Sequence, residues 1–410
     1  MSTLNLIQTA ETYLDKLCRS IDNRRVGSAG NQAATAFFAK TAALFGFETE
    51  RPPFDCIDWA QTGAQLAVNG ATFAATPSPY SLGGRVSAPL VVAASAAELA
   101  AVDIAGKVLL LRGELAKEQL MPKNFPFYNP DEHRHIINLL ETRQPAAIIS
   151  ATARNPQIAG GLYPFPLIED GDFNLPSVYL TEEEGLRLAE YAGQEIVFDS
   201  RASRIPATGC NVIARKGGGL GRRVVVCAHI DAKINTPGAL DNAAGVITLL
   251  LLAELLQTYA GGLQIELVAI NGEDYYAAPG ELQYLAMNQG QLGNILVAIN
   301  IDAAGYRQGP TAYSLYNCPA GVTDSIYRVF SAQPELVEGE PWYQSDHSVF
   351  IQNGAPAMAI TSGNFMELTT YITHTPKDSP ELVDCGKLAR LALALRTLLL
   401  DFDRTTFDKS

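Results

Sequence analysis

The chain has 410 residues and a mass of 44.0 kDa, enough for two or three domains and a large buried core. Hydrophobic residues make up 47% and charged residues 18%, which excludes a disordered chain. The 30 basic and 43 acidic residues leave a net charge of −13, which argues against nucleic acid and an anionic membrane surface as partners.

Residues 1–54 read as two helices, Leu4 to Arg19 and Asn31 to Leu44, joined by a loop with Arg24, Arg25, Gly27 and Ser28. The start, Met1 to Leu17, carries Glu11 and Asp15 and lacks the apolar block of a signal peptide. Residues 55–205 are rich in Ala, Gly and Pro and read as a domain of their own. Short strands are expected at Ala64–Val68, Leu90–Ala93, Val108–Leu111, Ala146–Ser150 and Ser177–Leu180. Helices are expected at His135–Thr142 and Glu182–Tyr191, and Pro-containing loops at Met121–Pro130 and Tyr163–Pro166. An HxH pair, His133 and His135, falls in a charged stretch and reads as a solvated helix start.

Residues 206–410 alternate apolar strands with helices, the pattern of an α/β layer fold. The strands are Val224–Ala228, Ile265–Ile270, Ile295–Ile301 and Ala357–Thr361; long helices are expected at Ala243–Tyr259 and Leu382–Leu400. The Gly-rich Lys216–Gly221 lacks the order of a phosphate-binding loop and reads as a hairpin turn. No apolar run approaches the ~18 residues of a membrane-spanning helix. The six cysteines form no CxxC pair and read as reduced thiols, which makes the cytoplasm the expected compartment.

Each of the four strands runs into a metal-competent side chain: His229 and Asp231, Glu273 and Asp274, Asp302, and a loop that reaches His374. Ligand sites in open α/β sheets lie at these carboxyl ends. A lone residue there is more often a cap or surface group, and Asp241, at a helix start, reads on its own first as an N-cap. His229 and Asp231 are two apart, so an extended backbone turns them to one side and Asp231 can orient the imidazole. Glu273 and Asp274 are adjacent and diverge, leaving one free as a base while the other ligates. Cys227 reads as a buried thiol.

The phrases Ala228-His229-Ile230-Asp231 and Pro237-Gly238-Ala239-Leu240-Asp241-Asn242-Ala243-Ala244-Gly245 resemble the zinc-dependent aminopeptidase family with two co-catalytic metals. That family includes bacterial leucyl aminopeptidases, carboxypeptidase Q and glutamate carboxypeptidase II. Gly272-Glu273-Asp274, Asn300-Ile301-Asp302, Ser345-Asp346-His347 and His374-Thr375-Pro376-Lys377-Asp378 follow in the family's order. The resemblance spans about 206 to 400. It implies a mixed, mostly parallel sheet flanked by helices, a phosphorylase/hydrolase-like metallopeptidase domain. It also implies that 55–205 is an inserted, smaller, β-rich protease-associated-like domain, with Asp103-Ile104-Ala105-Gly106-Lys107-Val108 its most typical phrase.

By resemblance, His229, Asp241 and Asp302 hold one Zn²⁺ and Asp241, Asp274 and His374 the other, with Asp241 as bridge and Glu273 as general base. Asp346 and His347 stand behind the ligands. Two neutral imidazoles and three carboxylates set −3 against +4, and the +1 remainder favours a bound hydroxide. The family has Glu where this chain has Asp274, so the second metal is expected to be held more weakly. The stretch Tyr275–Glu281 also lacks the family's usual Gly-Ser phrase.

The expected function is metal-dependent exopeptidase action on peptides, first of all as an aminopeptidase. Carboxypeptidase or dipeptidase action belongs to the same family. A glutaminyl cyclase shares the fold but lacks the insertion, and a non-catalytic binding member would have lost ligands that are all present here. No GxSxG elbow appears for a serine hydrolase. Homo-oligomerisation stays open.

Overall fold

The computed structural model describes residues 3–21, 23–117, 120–122, 129–152, 173–218 and 221–405. The chain forms two compact units, one from Met1–Asp55 with Thr208–Ser410 and one from Cys56–Ala207.

The first unit opens with a helix, Thr3–Asp15, and a more widely wound turn, Lys16–Ser20. A second helix, Ala29–Leu44, starts two residues before the expected Asn31 because Ser28 caps it: the Asn31 amide donates to Ser28 Oγ at 3.1 Å. Strand β1 (Glu48–Glu50) follows, and the chain leaves along β2 (Pro53–Val68).

The second unit is a closed barrel. Its strands are β2, β3 (Ala71–Pro77), β4 (Gly84–Ala93), β5 (Val108–Leu111), β6 (Ala147–Thr152), β7 (Ser177–Thr181) and β8 (Glu195–Cys210), in the order β2-β3-β7-β6-β5-β4-β8. Leu66, Leu110, Ile149, Val178 and Phe198 fill its interior. Strands β3 and β8 were not expected, since their Ala, Thr, Ser and Arg residues lack the apolar run of a buried strand. The helix expected at His135–Thr142 spans Asp131–Arg143, and His133 is buried rather than solvated. Its Nδ1 accepts from the Met121 amide at 3.1 Å, so it serves the fold, while His135 stays exposed. The Tyr163–Pro166 loop and 123–128 of the Met121–Pro130 loop lie outside the described residues.

Back in the first unit come β9 (Val212–Lys216), β10 (Arg223–His229), β11 (Gln264–Ile270), β12 (Ile295–Ile301), β13 (Thr311–Tyr316), β14 (Leu336–Glu338) and β15 (Ala357–Ser362). Eight strands form a mixed sheet, β1-β9-β11-β10-β12-β15-β13-β14. The central four, β11-β10-β12-β15, are mutually parallel, so their carboxyl ends lie on one edge. All seven residues of β10 are buried, as its continuous Val run requires between two helical layers. The Lys216–Gly221 segment does not close a hairpin. Strand β9 pairs antiparallel with β11, and β10 lies on the other side of β11.

The helix Ala244–Leu255 is apolar all round and buried from Ala244 to Ala253. A Cβ on Gly245 would stand 2.5 Å from the Ile301 carbonyl oxygen and 2.8 Å from Ala228 Cβ, so glycine lets this helix sit directly on β10 and β12. The last helix, Cys385–Arg404, is capped by Asp384 through the Gly386 and Lys387 amides. Among the described residues no helix is long and apolar enough to cross a membrane.

Candidate metal centre

His229 ends β10 with no exposed surface, and neither ring nitrogen makes a hydrogen bond among the described residues. Its Nε2 lies 3.0 Å from Asp241 Oδ1 and 3.5 Å from Asp302 Oδ1, at the end of β12. The other Asp241 oxygen, Oδ2, is 3.0 Å from His374 Nε2, and that nitrogen is 3.2 Å from Asp274 Oδ1. Asp241 therefore stands between two imidazoles, one oxygen turned to each. Ligand atoms of His229, Asp241 and Asp274 all lie within 4.8 Å of one another. His374 is reached through a short helix, Phe365–Tyr371, rather than by a plain loop after β15.

These five side chains crowd a buried imidazole against carboxylates that it does not hydrogen-bond. That is the arrangement of ligands around a shared cation. Two nitrogens and three carboxylates, all on hard or borderline donors, fit zinc or a similar divalent ion. Electrostatics agrees. Burial raises the Asp241 carboxyl, but the two imidazoles overcome this and hold it below its ordinary range. Burial disfavours charge on His374, yet Asp274 and Asp241 lift it to about 10. His229 is likewise lifted well above its ordinary value by Asp231, Asp241 and Asp302 against burial.

Glu273 is partly exposed and lies outside the gathered ligand atoms. Burial raises its pKa well above the usual carboxylate range; His229 opposes this, and Asp302, Asp274 and Asp346 add to it.

Asp231 differs from expectation. Its Oδ1 is 3.8 Å from His229 Nδ1, too far for a hydrogen bond. The two oxygens instead accept from the Gly272 amide at 2.8 Å and the Asp274 amide at 3.0 Å. The turn after β11 presents two N–H groups, and these take the carboxylate. Asp231 thus staples the turn that carries Glu273 to the end of β10.

His347 also lies apart from the ligands. Its Nε2 is 2.7 Å from the Trp342 carbonyl oxygen and its Nδ1 3.4 Å from Asn300 Nδ2, and burial lowers its pKa to about 4. A neutral ring tying down the 342–347 loop is its observed place. Asp346 has no exposed surface, and burial raises it to about 7. It neighbours Glu281, equally buried and raised well above its range by burial and by the charge of Asp346. Cys227 is buried, with Sγ 3.6 Å from Asn300 Oδ1.

Three residues that position the site carried no sequence assignment of that kind. Arg24 is buried and donates to the carbonyls of Ile230 (3.0 Å), Pro237 (2.9 Å) and Gly238 (2.7 Å), fixing the loop between His229 and Asp241. Asp378 accepts from the Leu240 and Asp241 amides at 2.7 and 3.0 Å. Lys233 donates its amide to Asp274 Oδ2 at 3.1 Å and brings Nζ within 3.6 Å of Asp274 Oδ1. For Asp378, the signal was the carboxylate four residues after His374; for Arg24, a cation in a loop otherwise rich in Gly and Ser.

Residues 211–399 match Peptidase family M28. A Mycobacterium tuberculosis protein described as "Probable lipoprotein aminopeptidase LpqL" is 27% identical over 238 residues, 55% of this chain and 44% of that protein. The chain thus spans less than half the length of that curated relative. An aminopeptidase from Aneurinibacillus sp. strain AM-1 shares the fold with a TM-score of 0.75 at 20% identity, over 96% of this chain and 93% of that one. BSAP, a zinc aminopeptidase from Bacillus subtilis, does so at 0.73 and 19%, over 97% and 94%. A Porphyromonas gingivalis glutaminyl cyclase superposes less closely, at 0.51 and 14%, over 97% and 98%.

Proposed function

With residues 211–399 belonging to Peptidase family M28, we propose that the protein is a zinc-dependent exopeptidase that releases amino-terminal residues from peptides. The observation that carries this reading is Asp241, with one carboxylate oxygen 3.0 Å from each of two imidazoles. His229, Asp241 and Asp302 would hold one ion, and Asp241, Asp274 and His374 a second. Bound there, divalent cations supply Lewis acidity toward the scissile carbonyl and acidify water toward neutrality.

The protein's own residues do the rest. Glu273 takes a proton from the attacking water and passes it to the leaving amine. Asp231 fixes the Glu273 turn, while Arg24 and Asp378 fix the segment that presents Asp241. Six free thiols support a reducing compartment and hence cytoplasmic action.

The test is a substrate panel on the zinc-loaded chain: aminoacyl anilides, free dipeptides, N-acetylated peptides and a Gln-terminal peptide. Turnover of free-amine substrates alone, lost on chelation and restored by Zn²⁺ or Co²⁺, supports the reading. Cleavage of N-acetylated peptides at the carboxyl end would make it a carboxypeptidase, and ammonia from the Gln peptide a cyclase. Zinc binding without turnover would make it a binding protein.

A further inference from the structure

Three buried asparagines meet at the carboxyl end of β11. Asn211, just before β9, and Asn271, just after β11, have no exposed surface, and Asn31, in the first turn of the helix Ala29–Leu44, is 1% exposed. Strand pairing brings the first two together, since β9 and β11 run antiparallel with Val212 opposite Ala269. Asn211 Oδ1 accepts from the Asn271 amide at 2.9 Å, and its Nδ2 donates to the Gly280 carbonyl at 2.7 Å. One side chain thus closes both ends of the 271–280 loop, which carries Glu273 and Asp274. A Cβ on Gly280 would stand 2.5 Å from Asn211 Oδ1, so glycine admits this approach.

Asn271 and Asn31 form a reciprocal amide pair. Asn31 Nδ2 donates to Asn271 Oδ1 at 2.7 Å, and Asn271 Nδ2 donates to Asn31 Oδ1 at 3.0 Å. Each amide nitrogen has a second acceptor: the Arg24 carbonyl at 2.9 Å for Asn31 and the Cys210 carbonyl at 3.0 Å for Asn271. The Arg24 guanidinium in turn holds the carbonyls of Ile230, Pro237 and Gly238. A continuous hydrogen-bonded line therefore runs from the loop of Asp274, through the opening helices, to the loop of Asp241. Asn271 stands three residues before Asp274, and Gly238 three before Asp241.

Apolar packing would hold these segments together without fixing their direction. Paired amides fix both distance and angle, because a buried donor or acceptor that slips from its partner is left unmade. A set of metal ligands drawn from two separate loops needs that fixity.

We propose that the Asn31–Asn271 pair is a positioning element that sets the spacing of the Asp241 and Asp274 segments, and with it the affinity for the cation held by Asp241, Asp274 and His374. The proposal rests on the two-cation reading for its catalytic meaning, but it is measurable without turnover. In the metal-free chain, Asn31→Ala should speed hydrogen exchange in 230–241 and 271–280 and leave β10 and the helix Cys385–Arg404 protected. Calorimetric titration with Zn²⁺ should show the weaker transition loosened by about 10- to 100-fold, as when a group behind a metal ligand is removed. The tighter transition should move less. Asn271→Ala should act in the same way, and the double variant should lose no more than the worse single, because the two amides make one contact.

Asn31→Ser, which keeps a small polar group, serves if the alanine variant does not fold. Thr35→Ala, buried on the same helix but outside the line, is the stability control. Unchanged exchange in the two loops would overturn the proposal, as would faster exchange with both cation affinities kept. So would losses that add in the double variant, or a Thr35→Ala chain that loses as much affinity at an equal drop in melting temperature. If the affinities respond as expected but no amide or anilide is hydrolysed, the positioning role stands and the peptidase reading fails. If the parent takes up a single cation, the two-cation reading fails and the exchange pattern alone decides the role of the pair.

Discussion

Replacing Lys233 by methionine should tighten binding of the cation held by Asp241, Asp274 and His374. The Lys233 ammonium stands 3.6 Å from Asp274 Oδ1, with side chains only 10% and 2% exposed, so water screens the pair poorly. At that distance two unit charges interact by ~1.2 kcal/mol at the dielectric of water and ~4.6 kcal/mol at an effective value of ~20. Desolvation of the ammonium returns part of this, leaving roughly 1–3 kcal/mol by which Lys233 competes with an incoming cation for Asp274. Lys233→Met keeps the stem and removes the charge. Affinity at this position should therefore rise by about 5- to 150-fold, with the cation at His229, Asp241 and Asp302 little changed. The assay is calorimetric titration of the metal-free chain with Zn²⁺, with Lys233→Arg as the charge-retaining control. Two transitions are expected in the parent, converging in the methionine variant. A weaker transition that stays put or weakens further would refute the argument.

Glu273→Gln should lower kcat by roughly 10²- to 10⁴-fold, with zinc content by elemental analysis equal to the parent; lost zinc would make Glu273 a ligand instead. Asp241→Asn should lose both cations together, because among the described residues its carboxylate alone reaches both imidazoles. Metal analysis beside a thermal melt of the metal-free form separates that from unfolding. Zinc binding should also release protons. Since His374 sits at about 10, its imidazole is protonated in the metal-free chain at pH 8, and His229 is shifted in the same direction by Asp231, Asp241 and Asp302. Affinity should rise with pH toward the His374 value and flatten above it. Calorimetry in buffers of different ionisation enthalpy should count at least about one proton per chain, from His374, and a count near zero would show that imidazole already neutral.

The sheet was legible where strands are buried on both faces. Apolar runs such as Val224–Ala228 and Ile295–Ile301 leave no other reading once polar residues bound them. Strands with an exposed or polar face escaped: β8 alternates buried and exposed residues among Ser, Arg and Thr, and β14 is only three residues long. Pairing across the sheet was hidden too, which is why Lys216–Gly221 looked like a hairpin turn. That His229, Asp241, Asp274, Asp302 and His374 meet was suggested by strand ends in a parallel layer and by the resemblance. What holds them was not. The Asp231 staple depends on where two backbone amides point, and the Arg24 and Asp378 contacts are to backbone atoms, which side-chain spacing cannot reveal. Glu281 was noted only as part of an unusual segment, yet it is fully buried beside Asp346.

The contact of Arg24 with the Ile230 carbonyl joins residues 206 positions apart. At a synthesis rate of roughly 5–20 residues per second, the guanidinium waits about 10–40 s on the ribosome for that partner. During that interval the strands of the barrel, which has its own closed ladder and core, are synthesised. The two opening helices must stay unpaired, with Leu6, Leu14, Leu17 and Phe38 lacking the apolar neighbours they will have in the finished unit. His374 is made later still. The gathering of side chains around Asp241 therefore cannot be complete until His374, the last of them along the chain, has been made.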